Sequence, residues 1–208
     1  MPGIPKSGQS LKDFVPANWK IRDTISYDFN KDGLKDYAVV IESVRPVEIK
    51  DDTVCFSDEP FYPKLLFILL KKEDNTLILS SSNSKMFGQC NWGVQGEDPY
   101  VGISIHNNTL GVVFLTGGTE RNEISYFFKY QNKDWYLTGA SSFQYWAGHQ
   151  GSYKVDINLV TGIKESYGQS GIGKGKRDGY KKTVLTKKAL IKMNAFDDNY
   201  KLPLNDDN

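Results

Sequence analysis

The sequence predicts a mainly β protein, made of antiparallel hairpins and a meander in one domain. Three observations carry that prediction. Short runs rich in β-branched and aromatic residues, such as 19–27 and 36–43, are bounded by Gly, Asn, Asp and Pro. The run Leu65-Leu66-Phe67-Ile68-Leu69-Leu70 is apolar at every place and has the length of a strand covered on both faces. From residue 103 onward, runs at 103–106, 109–115, 124–130 and 135–141 alternate with polar turns at regular spacing.

Taken in order, Ser10 to Val15 reads as a short helical turn capped by Ser10 and stopped by Pro16. Residues 1–9 are expected to be a flexible N-terminus or a vector remnant, 10–195 a single β domain, and 196–208 a loose acidic C-terminus. Strands at 19–27 and 36–43 flank a polar loop. Three prolines and an acidic cluster make 44–63 a long surface excursion. The apolar run 64–72 then turns at Glu73-Asp74-Asn75 into Thr76-Leu77-Ile78-Leu79-Ser80. A second long loop covers 82–100. In the meander, Tyr126, Phe128, Tyr130 and Trp135 should pair across strands on one face of the core. A last hairpin, 153–159 with 163–167, turns at Val160-Thr161-Gly162.

The chain of 208 residues can bury a sizeable core. Its formal charge of +1 argues against a global field for nucleic acid or anionic membrane. No apolar segment approaches the roughly 20 residues of a membrane-spanning helix. The opening residues contain no signal peptide.

The clearest chemistry lies in the loop Tyr27-Asp28-Phe29-Asn30-Lys31-Asp32-Gly33-Leu34-Lys35-Asp36. Oxygens at its first, third, fifth and ninth places (Asp28, Asn30, Asp32, Asp36) and the Leu34 carbonyl form a candidate ligand set for a structural Ca2+ ion. Gly33 permits the sharp turn. The twelfth place, a bidentate Glu in a helical EF-hand, is Val39, which points instead to a loop between strands. The bland reading is a polar hairpin turn.

Strand, D-x-N-x-D-G-x-x-D and apolar strand in that order resemble the calcium loop of FG-GAP/VCBS-type repeats of integrin-like propellers. A wider resemblance is to bacterial exported proteins and lipoproteins of unknown function that carry one such loop. The resemblance implies a propeller-blade-like first hairpin and an exported β protein at the bacterial periplasm or cell surface. It also implies a removed leader and allows a lipid anchor upstream. It implies no activity.

Other candidates are weaker. Cys55 and Cys90 could form one disulfide or remain separate buried thiols. Trp92, Tyr145, Trp146 and His149 lie in irregular or loop-like segments and could build an aromatic platform, or cap the core. Gly168 to Gly175 approaches a P-loop but has Gly175 where Ser or Thr is needed. The basic cluster from Lys174 to Lys188 reads as solvated surface. The function expected is therefore a non-enzymatic, calcium-stabilised exported binding protein, of the envelope inhibitor or immunity type, that meets a protein partner through its long loops. The alternative is a carbohydrate-binding module using Trp92, Tyr145 and Trp146. A hydrolase with a diffuse carboxylate site ranks third.

Overall fold

A computed structural model describes residues 1–47, 59–146, 151–169, 177–197 and 202–204. Its strands are β1 (Ser7–Gly8), β2 (Trp19–Tyr27), β3 (Asp36–Ser43), β4 (Lys64–Lys71), β5 (Leu77–Asn83), β6 (Tyr100–His106), β7 (Thr109–Gly117), β8 (Glu120–Gln131), β9 (Asp134–Trp146), β10 (Ser152–Asn158), β11 (Ile163–Gln169) and β12 (Arg177–Val184). They form a five-stranded sheet, ordered β1-β5-β4-β3-β2, and a seven-stranded sheet, ordered β12-β11-β10-β9-β8-β7-β6. Among the described residues every pairing of these strands is antiparallel. The second sheet is a pure meander. Its β6–β7 and β8–β9 turns place Asn107-Asn108 and Asn132-Lys133 at positive φ, the conformation that matches a two-residue turn to the twist of its strands.

One core lies between the sheets. Ala38, Val40, Leu66 and Ile68 of the smaller sheet meet Leu110, Val112, Phe114, Tyr126, Phe128, Trp135 and Leu137 of the larger. The opposite face of the smaller sheet buries Val39, Ile41, Leu65, Phe67 and Leu69 against Phe14, Leu11, Val15 and Ile4 of the N-terminal segment. β4 is thus apolar on both faces because both are covered. Polar bonds also join the sheets: Trp135 Nε1 donates to Ser80 Oγ at 3.1 Å, and the Tyr27 hydroxyl to Asn108 Oδ1 at 2.6 Å.

Both sheets are open, and neither closes on itself. The expectation of a propeller-blade-like hairpin is therefore corrected: β2 and β3 are the edge half of an open five-stranded sheet. The N-terminal segment packs across that sheet and the second sheet packs on its other face, which leaves no place for a neighbouring blade. Ordered contacts also extend beyond the expected domain limits. Ser7 and Gly8 pair with Ile78 and Leu77, and Phe196 is fully buried against Tyr126 and Phe128.

The loop 82–100 is built into the core. Asn83 donates from Nδ2 to the carbonyls of Met193 and Phe196 and accepts the Met86 amide, at 3.0 Å, on Oδ1. One buried amide thereby ties the 3-10 turn Met193–Ala195 and the turn Lys85–Phe87 to β5. Lys64 is only 2% exposed; its ammonium lies 2.8 Å from Asp98 and 3.6 Å from Glu42, which also meets Lys20 at 3.0 Å.

Candidate functional site

The loop between β2 and β3 is held by its own backbone. Asp28 accepts the amides of Asp32 and Gly33 at 3.1 and 2.9 Å, and Asn30 Oδ1 accepts that of Asp32 at 3.0 Å. Asp32 accepts the Leu34 amide at 2.8 Å and the Asn30 side-chain amide at 2.7 Å. The Leu34 backbone bond, followed by the Asn30 amide, lowers the Asp32 carboxyl below its ordinary range.

Asp36 is fully buried and faces inward, accepting Phe29 N–H at 3.0 Å and Lys71 N–H at 2.9 Å. Burial raises its pKa against the opposing pull of those amides. Among the described residues no group of three or more His, Cys, Asp or Glu side chains gathers as a metal site. The resemblance to FG-GAP/VCBS calcium loops is corrected accordingly. The carboxylates of Asp28, Asp32 and Asp36 close a polar turn and anchor it to β4.

The expected aromatic platform is not assembled. Trp92 stacks on Phe114, with centroids 5.6 Å apart and an interplanar angle of 23°, and packs against the core between the sheets. Tyr145 projects from the opposite face of the seven-stranded sheet, in register with Arg121 and Ser152. Trp146, next along β9, is paired with Glu120 and is 40% exposed. His149 lies outside the described residues. Cys90 is disulfide-bonded; Cys55 also lies outside the described residues.

The aromatic surface that does form lies on the outer face of the seven-stranded sheet. Paired residues share a face, so the register defines its rows. One row holds Gly111, Phe127 and Gly139; the next holds Val113, Ser125, Ser141 and Asp156; the third holds Leu115, Glu123, Phe143 and Lys154; the fourth holds Arg121, Tyr145 and Ser152.

The Phe127 ring lies over two glycines at ordinary contact distance, 3.4 Å from where a Cβ on Gly111 would stand and 3.8 Å from one on Gly139. What excludes a side chain at these positions is Ser104 Oγ, at 2.7 Å from the first, and the Ile157 carbonyl, at 2.8 Å from the second. Strand glycines at such positions mark close approach rather than turns. His106 packs beside Phe127 with centroids 5.9 Å apart, and Phe143 leans on Tyr145 at 5.6 Å and 31°.

Between these two aromatic groups runs a valley floored by Ser125 and Ser141. Phe127 and Phe143 stand about 13 Å apart along the strands, four residues at the usual rise. Neither apolar core includes Val113, Leu115, Phe127, Phe143 or Tyr145. The valley therefore runs across the strands on a face that, among the described residues, no member of either apolar core covers. Its charges alternate in sign: Lys154 pairs with Asp156 at 3.0 Å, and the Tyr180 hydroxyl donates to Glu165 at 2.6 Å. Beside Tyr145, the Arg121 Nε is buried without a hydrogen-bond partner.

Such a surface offers flat apolar rings for stacking and hydroxyls for hydrogen bonding. The sequence signals that could have located it are Gly111 and Gly139 inside strand patterns, together with the period-two alternation that sends Phe127 and Phe143 away from Tyr126 and Phe128. No protein-family model matches the chain, and no curated protein and no solved structure matches it either.

Proposed function

We propose that this protein is a non-enzymatic binding module whose outer seven-stranded face holds a neutral chain of sugar rings across the strands. The observation that carries this reading is the serine-floored valley between Phe127, laid over two glycines, and the Phe143–Tyr145 pair. Sugar rings present an apolar face to an aromatic ring and hydroxyls to their sides, and the half-buried Ser141 supplies a partner for those hydroxyls, with Ser125 deeper in the floor. Alternating charges favour a neutral polymer over a polyanion, since a basic field is what a phosphate or sulfate chain requires.

The disulfide at Cys90 supports a location outside a reducing cytoplasm. Among the described residues no helix is long and apolar enough to cross a membrane. The inhibitor or immunity reading has no comparable observation behind it.

A glycan array that includes neutral and acidic oligosaccharides tests the proposal. Hits among neutral chains, lost in Phe127→Ala and Phe143→Ala variants, are the expected outcome. An array without neutral hits contradicts it.

A further inference from the structure

A separate cavity of about 310 Å³ lies at the other end of the seven-stranded sheet, between the β10–β11 turn, the segment 185–191 and residues 202–204. Its wall is apolar, with Leu159, Leu185, Leu190, Ile191, Leu202 and Pro203. The segment is tied down at both ends: the Leu185 amide donates to the Gly162 carbonyl at 2.7 Å, and the Ile191 carbonyl accepts the Leu137 amide at 2.9 Å. Between those ties, no backbone hydrogen bond joins residues 186–190 to another described residue.

Lys187 and Lys188 border the same cavity, are exposed, and make no ion pair with a described residue. Gly162 makes room for the first of them. A Cβ there would lie 3.1 Å from Lys187 Cγ, so the lysine's methylene stem runs along the cavity wall.

We infer that this cavity binds the hydrocarbon chain of a medium-chain fatty acid, with its carboxylate held at the rim by Lys187 and Lys188. The volume sits at the lower end of the range for small-molecule sites. An acyl chain of about eight carbons, as in octanoate, is the proposed length. A wall built mostly of leucine, isoleucine and proline, with Thr186 its one hydroxyl, offers methylenes the transfer from water that drives apolar binding. Two lysine ammonium groups among the lining residues favour an anionic head over a neutral one. The inference is independent of the glycan face, because it uses other residues and another ligand class.

Calorimetric titration of the full chain with hexanoate, octanoate, dodecanoate and octan-1-ol, each below its micelle concentration, tests it. One-to-one binding is expected, with octanoate roughly tenfold tighter than hexanoate for its two added methylenes and dodecanoate gaining little more because the cavity is full. Lys187→Ala with Lys188→Ala should weaken octanoate about tenfold, the loss of a charge-assisted contact, and leave octan-1-ol unchanged. Leu190→Trp, which fills the cavity, should abolish both. Ala189→Phe, at an exposed rim position, should weaken octanoate even if the tryptophan variant does not fold. Absence of saturable binding, an affinity gain that continues to dodecanoate, lysine variants that bind octanoate normally, or Ala189→Phe binding it normally would each overturn the inference.

Discussion

Asp23 Oδ2 accepts two hydrogen bonds at 3.1 Å, one from the Tyr100 hydroxyl and one from the Ile103 amide, and so joins β2 to β6. Those are edge strands of different sheets, and the carboxylate sits at the bulge that shifts the β2–β3 register. Burial, reinforced by the Asp23 charge, pushes the Tyr100 hydroxyl far above its ordinary range, which keeps it a donor.

Tyr100→Phe should therefore cost about 1–2 kcal/mol of folding stability, and Asp23→Ala about 2–3, because the latter also strands the Ile103 amide. Urea unfolding of both single variants and the double variant checks this. The double variant should cost less than the sum of the singles.

Lys64 is the second prediction. With Glu42 and Asp98 at its ammonium, Lys64→Ala takes the buried partner from Asp98 and leaves Glu42 with the exposed Lys20 and Arg22 alone. A loss of about 3–5 kcal/mol is expected in chemical denaturation. Adding Glu42→Gln and Asp98→Asn to Lys64→Met should recover much of it, since the charges to be desolvated are then gone.

Asn83 provides a third. Asn83→Asp replaces a donor by a carboxylate facing the carbonyls of Met193 and Phe196, which should cost about 2–4 kcal/mol. The segment 185–197 should then exchange its amide hydrogens faster than the sheets do.

Asp36 sets a pH dependence. Its folded pKa is raised above the ordinary 3.8, so from that value upward to its folded pKa the native state holds more proton than the unfolded chain. Its contribution to stability is consequently lost as pH rises through that window. In Asp36→Asn the slope of unfolding free energy against pH should become more positive there. The same slope in both proteins would contradict this placement of the carboxyl.

Much of the fold was legible because it follows from period and punctuation. The continuous apolar run at 65–70 marks a strand covered on both faces, and the Asn-rich turns mark the meander. The burial of Lys64 is not legible locally because a lysine at the end of such a run normally reaches solvent; Glu42 on β3 and Asp98, brought back by the chain between β5 and β6, make it a buried ion. The family resemblance of the loop 28–36 did not carry over to the fold, because the oxygens that satisfy backbone amides in a polar turn occupy the same spacing as the FG-GAP ligand pattern. Trp92 sat in a stretch without period, and nothing local shows that its ring stacks on Phe114. Lys181 and Lys182, read as a solvated basic cluster, lie in β12, the edge strand of the sheet, where lysines discourage further pairing.

Sugar binding on the outer face is tested most directly by titrating wild type, Phe127→Ala and Phe143→Ala with neutral oligosaccharides. Each variant loses a partly exposed ring that neither core uses, so melting temperatures should stay close to wild type. Saturable binding to the wild type, weakened about tenfold or more in each variant, is the predicted result. Wild-type protein that binds no neutral glycan, or variants that bind one as tightly as wild type, would contradict it.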